Sequence, residues 1–349
     1  MRAFSEYTPE SLAQALVALG CKPSHAGRLL RSYYTRGGTL DWEALRLPRA
    51  TAECLQAWPL STAELSMRQV SEDETVKLLL RLQDGRTVES VLMPDFHPAR
   101  AAGCISSQVG CAMGCDFCAT TKTGFERNLS AAEIIDQFLA LRAEALHLGR
   151  QLRTLVFMGM GEPMLNLDNV IEAIRRIAPN ELGALGWRQI TVSTVGIIPG
   201  IERLQAAALK VHLAVSLHAP DDATRTRLLP MGRRFAVADI LAAADAYQAA
   251  SGRPVTIQYC LLSGVNDSVA QAELLADLLG SRRMHINLLR YNATGLSLNG
   301  ITYTATDEAQ ASVFLNVLHR RGQVAHLRRP RGRDINAACG QLRRRAIGA

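Results

Sequence analysis

Within Cys111-Ala-Met-Gly-Cys115-Asp-Phe-Cys118 lie three of the eight cysteines of this chain. A chain of 349 residues buries enough surface to fold without disulfide staples, so the clustering indicates a ligand. Thiolates hold iron–sulfur clusters, usually four to a cluster, and a set of three leaves one iron open to a substrate. A zinc knuckle and chance clustering are the alternatives; a knuckle needs a fourth Cys or His nearby, and the next histidine is His147.

Length and composition predict one large hydrophobic core with a small accessory domain, because 48% of the 349 residues are hydrophobic. The chain does not start with a basic segment followed by an apolar one, and no window approaches the uninterrupted apolar length of a membrane span. We therefore expect a soluble protein with no membrane partner. The cysteines are not regularly paired, which favours the reducing cytoplasm, where thiolates and iron–sulfur clusters persist.

Positive charge is concentrated at the carboxyl end of the chain. The formal net charge is +7, but residues 320–349 alone hold nine arginines against one acid, Asp334, and so carry +8. Such a segment is typical of a phosphate-binding surface, although a solvated tail would have the same composition. The arginines are Arg320, Arg321, Arg328, Arg329, Arg331, Arg333, Arg343, Arg344 and Arg345.

Residues 1–62 are predicted to form a small helical domain. Thr8-Pro9-Glu10 is typical of a helix start, with leucines following at helical spacing. A second helix, predicted over 25–34, carries Arg28 and Arg31 and leads to Arg36 before a glycine pair. This pattern favours an RNA-binding accessory domain, although arginines on a helix are also typical of a solvated face.

A short β extension is predicted over residues 63–100. Val76, Leu78 and Leu80 alternate with their neighbours, Asp84-Gly85 has the composition of a hairpin turn, and a second alternating run begins at Val88. These strands lead into the core of the fold.

From residue 101 onward, apolar runs typical of strands alternate with helical patterns, which predicts an α/β fold with a parallel sheet. Six strands suit a partial barrel, whose ligand is expected at the carboxyl ends of the strands. The capping box of Ser130 and Glu133 opens one helix. Strands are predicted over 103–106, 154–158, 189–193, 210–216, 255–261 and 285–289, and further helices over 167–177, 237–250, 268–279 and 307–321.

A glycine-rich loop, Gly159-Met-Gly161-Glu162-Pro163, follows the strand that is predicted to end at Met158. A dinucleotide-binding fingerprint would need a third glycine where Met164 stands, so that interpretation fails. The two glycines instead predict a loop whose backbone lies close to a ligand, since they carry no side chain.

The cysteine spacing, with Phe117 before the third cysteine, resembles the signature of the radical S-adenosylmethionine (SAM) superfamily. The loop at Gly161-Glu162 is similar to its motif for the SAM amino group. Six segments, in order, resemble the RlmN/Cfr family of RNA methyltransferases over about residues 89–342. They are Cys104-Ile-Ser-Ser-Gln-Val-Gly-Cys111, Gly124-Phe-Glu-Arg-Asn-Leu129, Phe157-Met-Gly-Met-Gly-Glu-Pro163, Ser216-Leu-His218, Val265-Asn-Asp267 and Asp334-Ile-Asn-Ala-Ala-Cys-Gly-Gln341.

This resemblance implies a partial (βα)6 radical SAM barrel with a catalytic segment over residues 101–342, followed by a basic tail at 343–349. It implies one [4Fe-4S] cluster held by Cys111, Cys115 and Cys118, whose open iron chelates SAM. The positions that match the SAM-binding positions of the family are Gly161, Glu162, Ser193, Ser216, Leu217, His218 and Asn292.

The resemblance also implies a division of labour between two cysteines. Cys339 takes a methyl group from one SAM, and a 5′-deoxyadenosyl radical from a second SAM removes a hydrogen from that S-methyl group. The carbon radical adds to the adenine ring, the ring proton leaves, and Cys104 attacks the sulfur to form a transient disulfide with Cys339. Exposed, reactive thiols fit these roles. Glu89 matches the position of the proton acceptor.

The family's substrates imply methylation of C2 of an adenosine in 23S rRNA, with tRNA as a further substrate and flavodoxin or ferredoxin as electron donor. We expect a monomer. Arg290-Tyr291-Asn292 and Ser193-Thr-Val-Gly-Ile-Ile-Pro199 are nearer to the C8-methylating branch, so C8 is the alternative. Arg333 and Asn336 replace acids that are common in the family. A non-catalytic RNA-binding protein and a radical SAM enzyme acting on a protein or metabolite are the competing interpretations.

Overall fold

The computed structural model describes residues 2–329, 331–332 and 334–335. The helices in this part of the chain are α1 (Pro9–Ala18), α2 (His25–Thr35), α3 (Trp42–Leu45), α4 (Arg49–Gln56), α5 (Ala131–His147), α6 (Leu167–Ile177), α7 (Ile198–Ala206), α8 (Asp222–Leu228), α9 (Val237–Ser251), α10 (Val269–Leu279) and α11 (Glu308–Arg320). The strands are β1 (Ala63–Val70), β2 (Val76–Leu82), β3 (Thr87–Pro94), β4 (Arg100–Cys104), β5 (Gln108–Gly110), β6 (Phe125–Asn128), β7 (Gln151–Phe157), β8 (Ile190–Thr194), β9 (His212–Ser216), β10 (Thr256–Leu261), β11 (His285–Arg290) and β12 (Val324–Leu327).

Ten strands form one open sheet in the order β1-β2-β3-β4-β7-β8-β9-β10-β11-β12. In this sheet β4, β7, β8, β9, β10, β11 and β12 are parallel, whereas β1, β2 and β3 form an antiparallel extension that joins the edge of β4. The strands β5 and β6 form a separate antiparallel pair. The parallel strands end at one edge of the sheet, which is where such folds bind ligands. Among the described helices, none has the length and hydropathy needed to cross a bilayer.

The α/β prediction is confirmed, and each of the six predicted parallel strands is present within a few residues of its expected bounds. Ser130 caps α5 by accepting a hydrogen bond from the Glu133 backbone, as the capping box predicts. The hairpin at Asp84-Gly85 also forms, with Gly85 at a φ of 80° that favours glycine. Sequence patterns missed three short strands, β5, β6 and β12, and the helices α3, α4, α7 and α8.

The helical region at the amino terminus packs against α5 and α6 through buried polar contacts. Arg176 of α6 donates to the carbonyl oxygens of Ser5 and Tyr7, and Arg142 of α5 donates to that of Tyr34. On the other side of this region, Arg31 of α2 donates to the Asn180 carbonyl. Arg31, one of the arginines expected on an RNA-binding face, is therefore exposed but takes part in a hydrogen bond within the protein.

A segment that follows β12, which we call the C-terminal strap (the described residues among 328–335), reaches the opposite edge of the open sheet. The Arg328 backbone donates to Leu288 of β11. Further along, the Gly332 backbone donates to Asp73, and Asp334 accepts hydrogen bonds from the Ser71 hydroxyl at 2.5 Å and from the Glu72 backbone. The strap thus joins the end of β12 to the turn between β1 and β2. Arg333, Asn336, Cys339 and Arg343, Arg344 and Arg345 lie outside the described residues.

Asp136 of α5 provides a test of how the amino-terminal region is attached. Its carboxylate accepts hydrogen bonds from the Thr62 backbone at 2.7 Å and the Thr62 hydroxyl at 2.5 Å, and burial raises its pKa to about 6. A carboxyl whose pKa is higher in the folded state than in the unfolded state contributes stability at low pH, and that contribution is lost as the pH rises through the folded pKa.

We expect Asp136→Asn to remove this pH dependence. Between pH 5 and pH 7.5 the variant should gain roughly 1–2 kcal/mol in the free energy of unfolding relative to the parent, measured by urea unfolding across that range. Asp239→Asn, a substitution of an exposed residue on α9, is the control, and its free energy of unfolding should have the same pH dependence as that of the parent. Parallel curves for Asp136→Asn would contradict the assignment.

Candidate active site

A cavity of about 410 Å³ lies at the carboxyl ends of the parallel strands. Residues at or just after the ends of β4, β7, β8, β9, β10, β11 and β12 line it, so the topology brings together segments that are far apart in the sequence. Ten of the residues predicted for the site face this one cavity. They are Cys104, Cys111, Cys115, Cys118, Gly161, Glu162, Ser193, Ser216, His218 and Asn292.

The three clustered cysteines lie on the loop between β5 and the short strand β6. Burial raises the pKa of the Cys111 thiol to about 12, and the neighbouring Cys118 raises it further through charge. The pKa of Cys115 is raised for the same two reasons, with Cys118 and Cys111 as its charged neighbours. The Cys111 and Cys115 thiols are therefore protonated near neutral pH unless a metal binds them.

This donor set fits an iron–sulfur cluster. Buried thiolates need a cation to offset their charge and their lost hydration, and a bound metal deprotonates thiols outright. The described residues include no group of three or more His, Cys, Asp or Glu side chains placed to hold one metal ion. A [4Fe-4S] cluster spreads its thiolate ligands over different iron atoms, so its ligands lie further apart than those of a single ion.

Asp116 organises the cysteine loop, and the sequence analysis did not identify it. Its buried carboxylate accepts hydrogen bonds from the Tyr303 hydroxyl at 2.7 Å and from the Asn299 backbone at 2.9 Å, while its own backbone N–H donates to Leu228. The only hint in the sequence was a charged residue between two cysteines. Residues that follow β11 and the end of α8 therefore hold the loop from outside.

The glycine-rich loop after β7 lies directly against the segment that follows β4. A Cβ atom on Gly161 would stand 2.5 Å from the Gln108 side chain, and the φ of Gly161 is 98°, so only glycine fits. The next residue, Glu162, is buried with its carboxylate accepting from the Val195 backbone at 2.9 Å and the Met164 backbone at 3.1 Å. Burial raises the pKa of Glu162 to about 7.

The polar residues at the ends of β8 and β9 form the opposite wall. The hydroxyl oxygens of Ser193 and Ser216 are 3.4 Å apart. His218 has a φ of 60°, which is uncommon for a residue with a side chain, and Asn266 stabilises this conformation by donating to the His218 carbonyl. Burial lowers the pKa of His218 to about 3 and Arg225 lowers it further, so the imidazole is neutral. Because its Nδ1 accepts from the Cys260 backbone, the N–H is on Nε2.

Two other predicted residues lie beside the cavity rather than in its lining. The Leu217 side chain is in the hydrophobic core, and its backbone N–H donates to Gln258. Glu89 is buried on β3, with the buried ammonium of Lys77 at 3.9 Å from its carboxylate. The sequence analysis did not identify Lys77.

The expectation that the Cys104 thiol is exposed is wrong, because only 9% of this residue is exposed. Burial raises its pKa to about 11, with Arg328 of the strap opposing the shift and Glu89 adding to it. The Cys104 thiol is thus reached through the cavity that it lines. Its predicted partner, Cys339, lies outside the described residues.

Arg225 of α8 is a further residue that no sequence signal indicated. It is fully buried, and it donates to the Val195 carbonyl, while the N–H of the same residue donates to Glu162. Val195 is therefore held on both sides. Gln258 of β10 also lines the cavity, and its buried Oε1 has no hydrogen-bond partner among the described residues.

Comparison with known proteins agrees with this geometry. A profile of the radical SAM superfamily matches residues 105–275. A protein from Opitutus terrae named "Probable dual-specificity RNA methyltransferase RlmN 1" is 62% identical over 346 residues, covering 98% of this chain and 96% of that protein. The chain belongs to the RlmN family of radical SAM RNA methyltransferases.

Other RlmN relatives and a solved structure extend the match. A Thermus thermophilus protein named "Probable dual-specificity RNA methyltransferase RlmN" is 44% identical, covering 88% of this chain and 86% of that protein. The crystal structure of a radical SAM methyltransferase from Sphaerobacter thermophilus superposes with a TM-score of 0.89 at 38% identity, covering 98% of this chain and 99% of that one. As a radical SAM enzyme, this member of the RlmN family uses SAM and a [4Fe-4S] cluster.

We expect Asp116→Ala to loosen the cysteine loop. The substitution leaves the buried Tyr303 hydroxyl and the N–H of the exposed residue Asn299 without this acceptor, so the free energy of unfolding should fall by roughly 1–3 kcal/mol. Iron and sulfide bound after anaerobic reconstitution should fall with it. Asp116→Asn keeps a carbonyl acceptor and should lie between the parent and the alanine variant. Unchanged iron content in Asp116→Ala would show that the loop is held by other contacts.

Proposed function

We propose that this enzyme methylates C2 of an adenosine in 23S rRNA and also modifies tRNA. The observation that carries the proposal is the single cavity in which Cys104, the three clustered cysteines and the Gly161-Glu162 loop meet. The relatives carry the words "dual-specificity RNA methyltransferase RlmN" in their names, which supports two classes of RNA substrate. The enzyme acts as a cytoplasmic monomer that receives electrons from flavodoxin or ferredoxin.

Cys111, Cys115 and Cys118 hold the cluster in this proposal, leaving one iron for SAM. When bound there, the cluster supplies the electron that cleaves SAM to a 5′-deoxyadenosyl radical. Glu162 binds the SAM amino group, and its buried position strengthens that contact because the cavity wall excludes water. Ser193, Ser216, Leu217, His218 and Asn292 complete the SAM-binding set.

Cys339 carries the methyl group, and Cys104 resolves the adduct between Cys339 and the adenine. Since the Cys104 thiol is buried with a raised pKa, it must lose its proton within the cavity before it attacks the Cys339 sulfur. Glu89 is the acceptor of the ring proton. The Lys77 ammonium at 3.9 Å favours the charged form of Glu89 and fixes its position.

Arginines of the C-terminal strap hold the RNA beside the reacting groups. Arg328, Arg329 and Arg331 line the cavity, so they lie where a base entering the site would bring its phosphates. Arg321 is excluded from this role because it pairs with Glu273 and Asp277 of α10.

The C8 position of adenosine is the second candidate for methylation. Two segments favour C8 because their sequences are nearer to the C8 branch of the family. Arg290-Tyr291-Asn292 lines the cavity, and residues 193–199 begin at the end of β8. In this proposal, methylation at C2 and methylation at C8 use the same two cysteines, so only the methylated product distinguishes the two reactions.

The decisive experiment incubates anaerobically reconstituted enzyme, SAM and a chemical reductant with rRNA and tRNA from cells that lack the activity. We expect 2-methyladenosine in both RNAs by nucleoside mass spectrometry, and none with Cys339→Ala. 8-Methyladenosine would establish the second candidate instead. SAM cleavage without any methylated RNA would overturn both.

Cys104→Ala tests the resolving step. Without the attack on the Cys339 sulfur, RNA should stay covalently attached to the protein, which denaturing gels and nuclease digestion detect. Cys260→Ala is the matched control, since Cys260 lines the same cavity and has no proposed role. Release of methylated RNA by Cys104→Ala at the parental rate would contradict this assignment.

Glu162→Gln tests the SAM contact. Replacing the carboxylate removes a charge-assisted hydrogen bond to the SAM amino group, so the Kd for SAM should rise about 10–100-fold while the bound iron stays constant. Equilibrium dialysis under anaerobic conditions measures both. Glu181→Gln, a substitution on an exposed loop residue, should match the parent. An unchanged Kd in Glu162→Gln would assign the amino group to another partner.

A further inference from the structure

Gln258 of β10 is a polar residue of the cavity wall that is not among the predicted SAM-binding residues. It is 4% exposed, and it lines the cavity together with Cys260, which lies two residues further along the same strand and therefore on the same face. The backbone carbonyl of Gln258 accepts hydrogen bonds from the Leu217 and His218 N–H groups. The segment that follows β9 thus fixes the backbone at Gln258, and the side chain belongs to the wall.

The carboxamide of Gln258 lacks a hydrogen bond that a buried polar group normally makes. Its Oε1 is buried and accepts from no residue that the structure describes. An amide oxygen that loses its hydration without gaining a partner destabilises the folded state, whereas an apolar side chain of the same shape does not. Glutamine at this position is therefore unfavourable for the fold alone. A donor on a ligand in the cavity restores the missing hydrogen bond.

Two serine hydroxyls share the wall with this carboxamide. Ser216 of β9 is paired in register with Gln258 on the neighbouring parallel strand, so the two side chains point to the same face of the sheet. The Ser193 hydroxyl of β8 lies 3.4 Å from that of Ser216. All three residues line the cavity. Three adjacent strands therefore place two hydroxyls and one carboxamide on the same wall.

We infer that Gln258 binds the ribose hydroxyls of the SAM molecule that occupies this cavity. The inference rests on the proposed function, in which Glu162 binds the SAM amino group. The donors that then remain on SAM are the two ribose hydroxyls and the adenine amino group. A hydroxyl both donates and accepts, so it pairs with either end of a carboxamide and with a serine hydroxyl at the same time. The terminal torsion of glutamine is soft, so the carboxamide turns to present either end.

The adenine edge fits this wall less well than the ribose does. Adenine presents an amino group beside a ring nitrogen, which pairs with a carboxamide but leaves the hydroxyls of Ser193 and Ser216 unused. RNA is a second source of ribose. Within an RNA chain, however, the 3′ oxygen is esterified and only the 2′-hydroxyl is free, so the pair of adjacent hydroxyls belongs to SAM. Because C5′ is attached to the ribose ring, the same contacts fix where the 5′ carbon lies when SAM is cleaved.

The test uses the full-length, cluster-loaded enzyme with SAM, 2′-deoxy-SAM and 3′-deoxy-SAM as probes. Gln258→Met keeps the length of the side chain and removes both hydrogen-bonding ends, whereas Gln258→Glu keeps an acceptor oxygen. Cys260→Ala is the matched control, because Cys260 lines the same cavity from the same strand and has no proposed role. Anaerobic equilibrium dialysis gives each Kd, and the bound iron is measured in every sample.

We expect Gln258→Met to raise the Kd for SAM roughly 3–10-fold at constant iron content, which is the effect of losing one neutral hydrogen bond. The parent should bind at least one deoxy analogue more weakly than SAM, and Gln258→Met should lose most of that preference. Gln258→Glu should lie between the parent and the methionine variant, and Cys260→Ala should match the parent. Without ligand, Gln258→Met should unfold at the parental urea concentration or above it, since it buries no unpaired oxygen.

Four results would overturn the inference. The first is a parental Kd for SAM in Gln258→Met, and the second is equal affinity of the parent for SAM and both deoxy analogues, which needs no variant. The third is a lower urea midpoint of ligand-free Gln258→Met with an unchanged Kd, because it would assign Gln258 to the fold. The fourth uses a SAM analogue without the adenine amino group: if Gln258→Met loses the preference against that analogue instead, the contact is to adenine.

Failure of the proposed function is a separate result. A parent enzyme that cleaves SAM but methylates no RNA would refute the proposed function alone, because the Kd values for SAM and its analogues are measured without RNA. Those values still decide whether Gln258 binds the ribose.

Discussion

The burial of the Cys111 and Cys115 thiols is the constraint on which the rest of the site depends. A thiolate is costly to bury, so burial raises the pKa of both groups and keeps them protonated near neutral pH. The protein must therefore hold this loop with contacts other than those of its thiols. It does so through contacts from outside the loop, with Asp116 bonded to residues more than a hundred positions away. A cluster held by these residues would deprotonate the thiols and offset the charge of the thiolates, so its binding would be coupled to the folding of the loop.

The loops around the cavity are fixed in a continuous chain of hydrogen bonds. Gln108 accepts from the Glu162 backbone, Glu162 accepts from Val195, and Val195 accepts from Arg225. On the far side, Asn266 holds the strained backbone of His218. Residues contributed by different strands consequently have defined relative positions before any ligand binds. Preorganisation of this kind suits radical chemistry, because a reactive carbon must meet its intended target before another group quenches it.

Local patterns predicted the parts of the molecule that depend on neighbours in sequence. Parallel strands are buried on both faces and read as continuous apolar runs, and helix caps such as Ser130 act over three residues, so these elements were predictable. The cysteine spacing and the glycine-rich loop were recognisable for the same reason. Lys77, Asp116 and Arg225 were not, because their roles arise from contacts between distant segments. The burial of Cys104 also escaped prediction, since it results from the way β3, β4 and the strap meet.

The C-terminal strap has a consequence for the order of folding. Asp334 bonds to Ser71 across 263 positions, and Gly332 bonds to Asp73 across 259. The turn between β1 and β2 leaves the ribosome early, but its partner is synthesised near the end of translation. Contacts over such sequence distances form late, because a long loop must close before they give any stability. Because Arg328, Arg329 and Arg331 of the strap line the cavity, that side of the cavity is completed only after most of the chain has emerged.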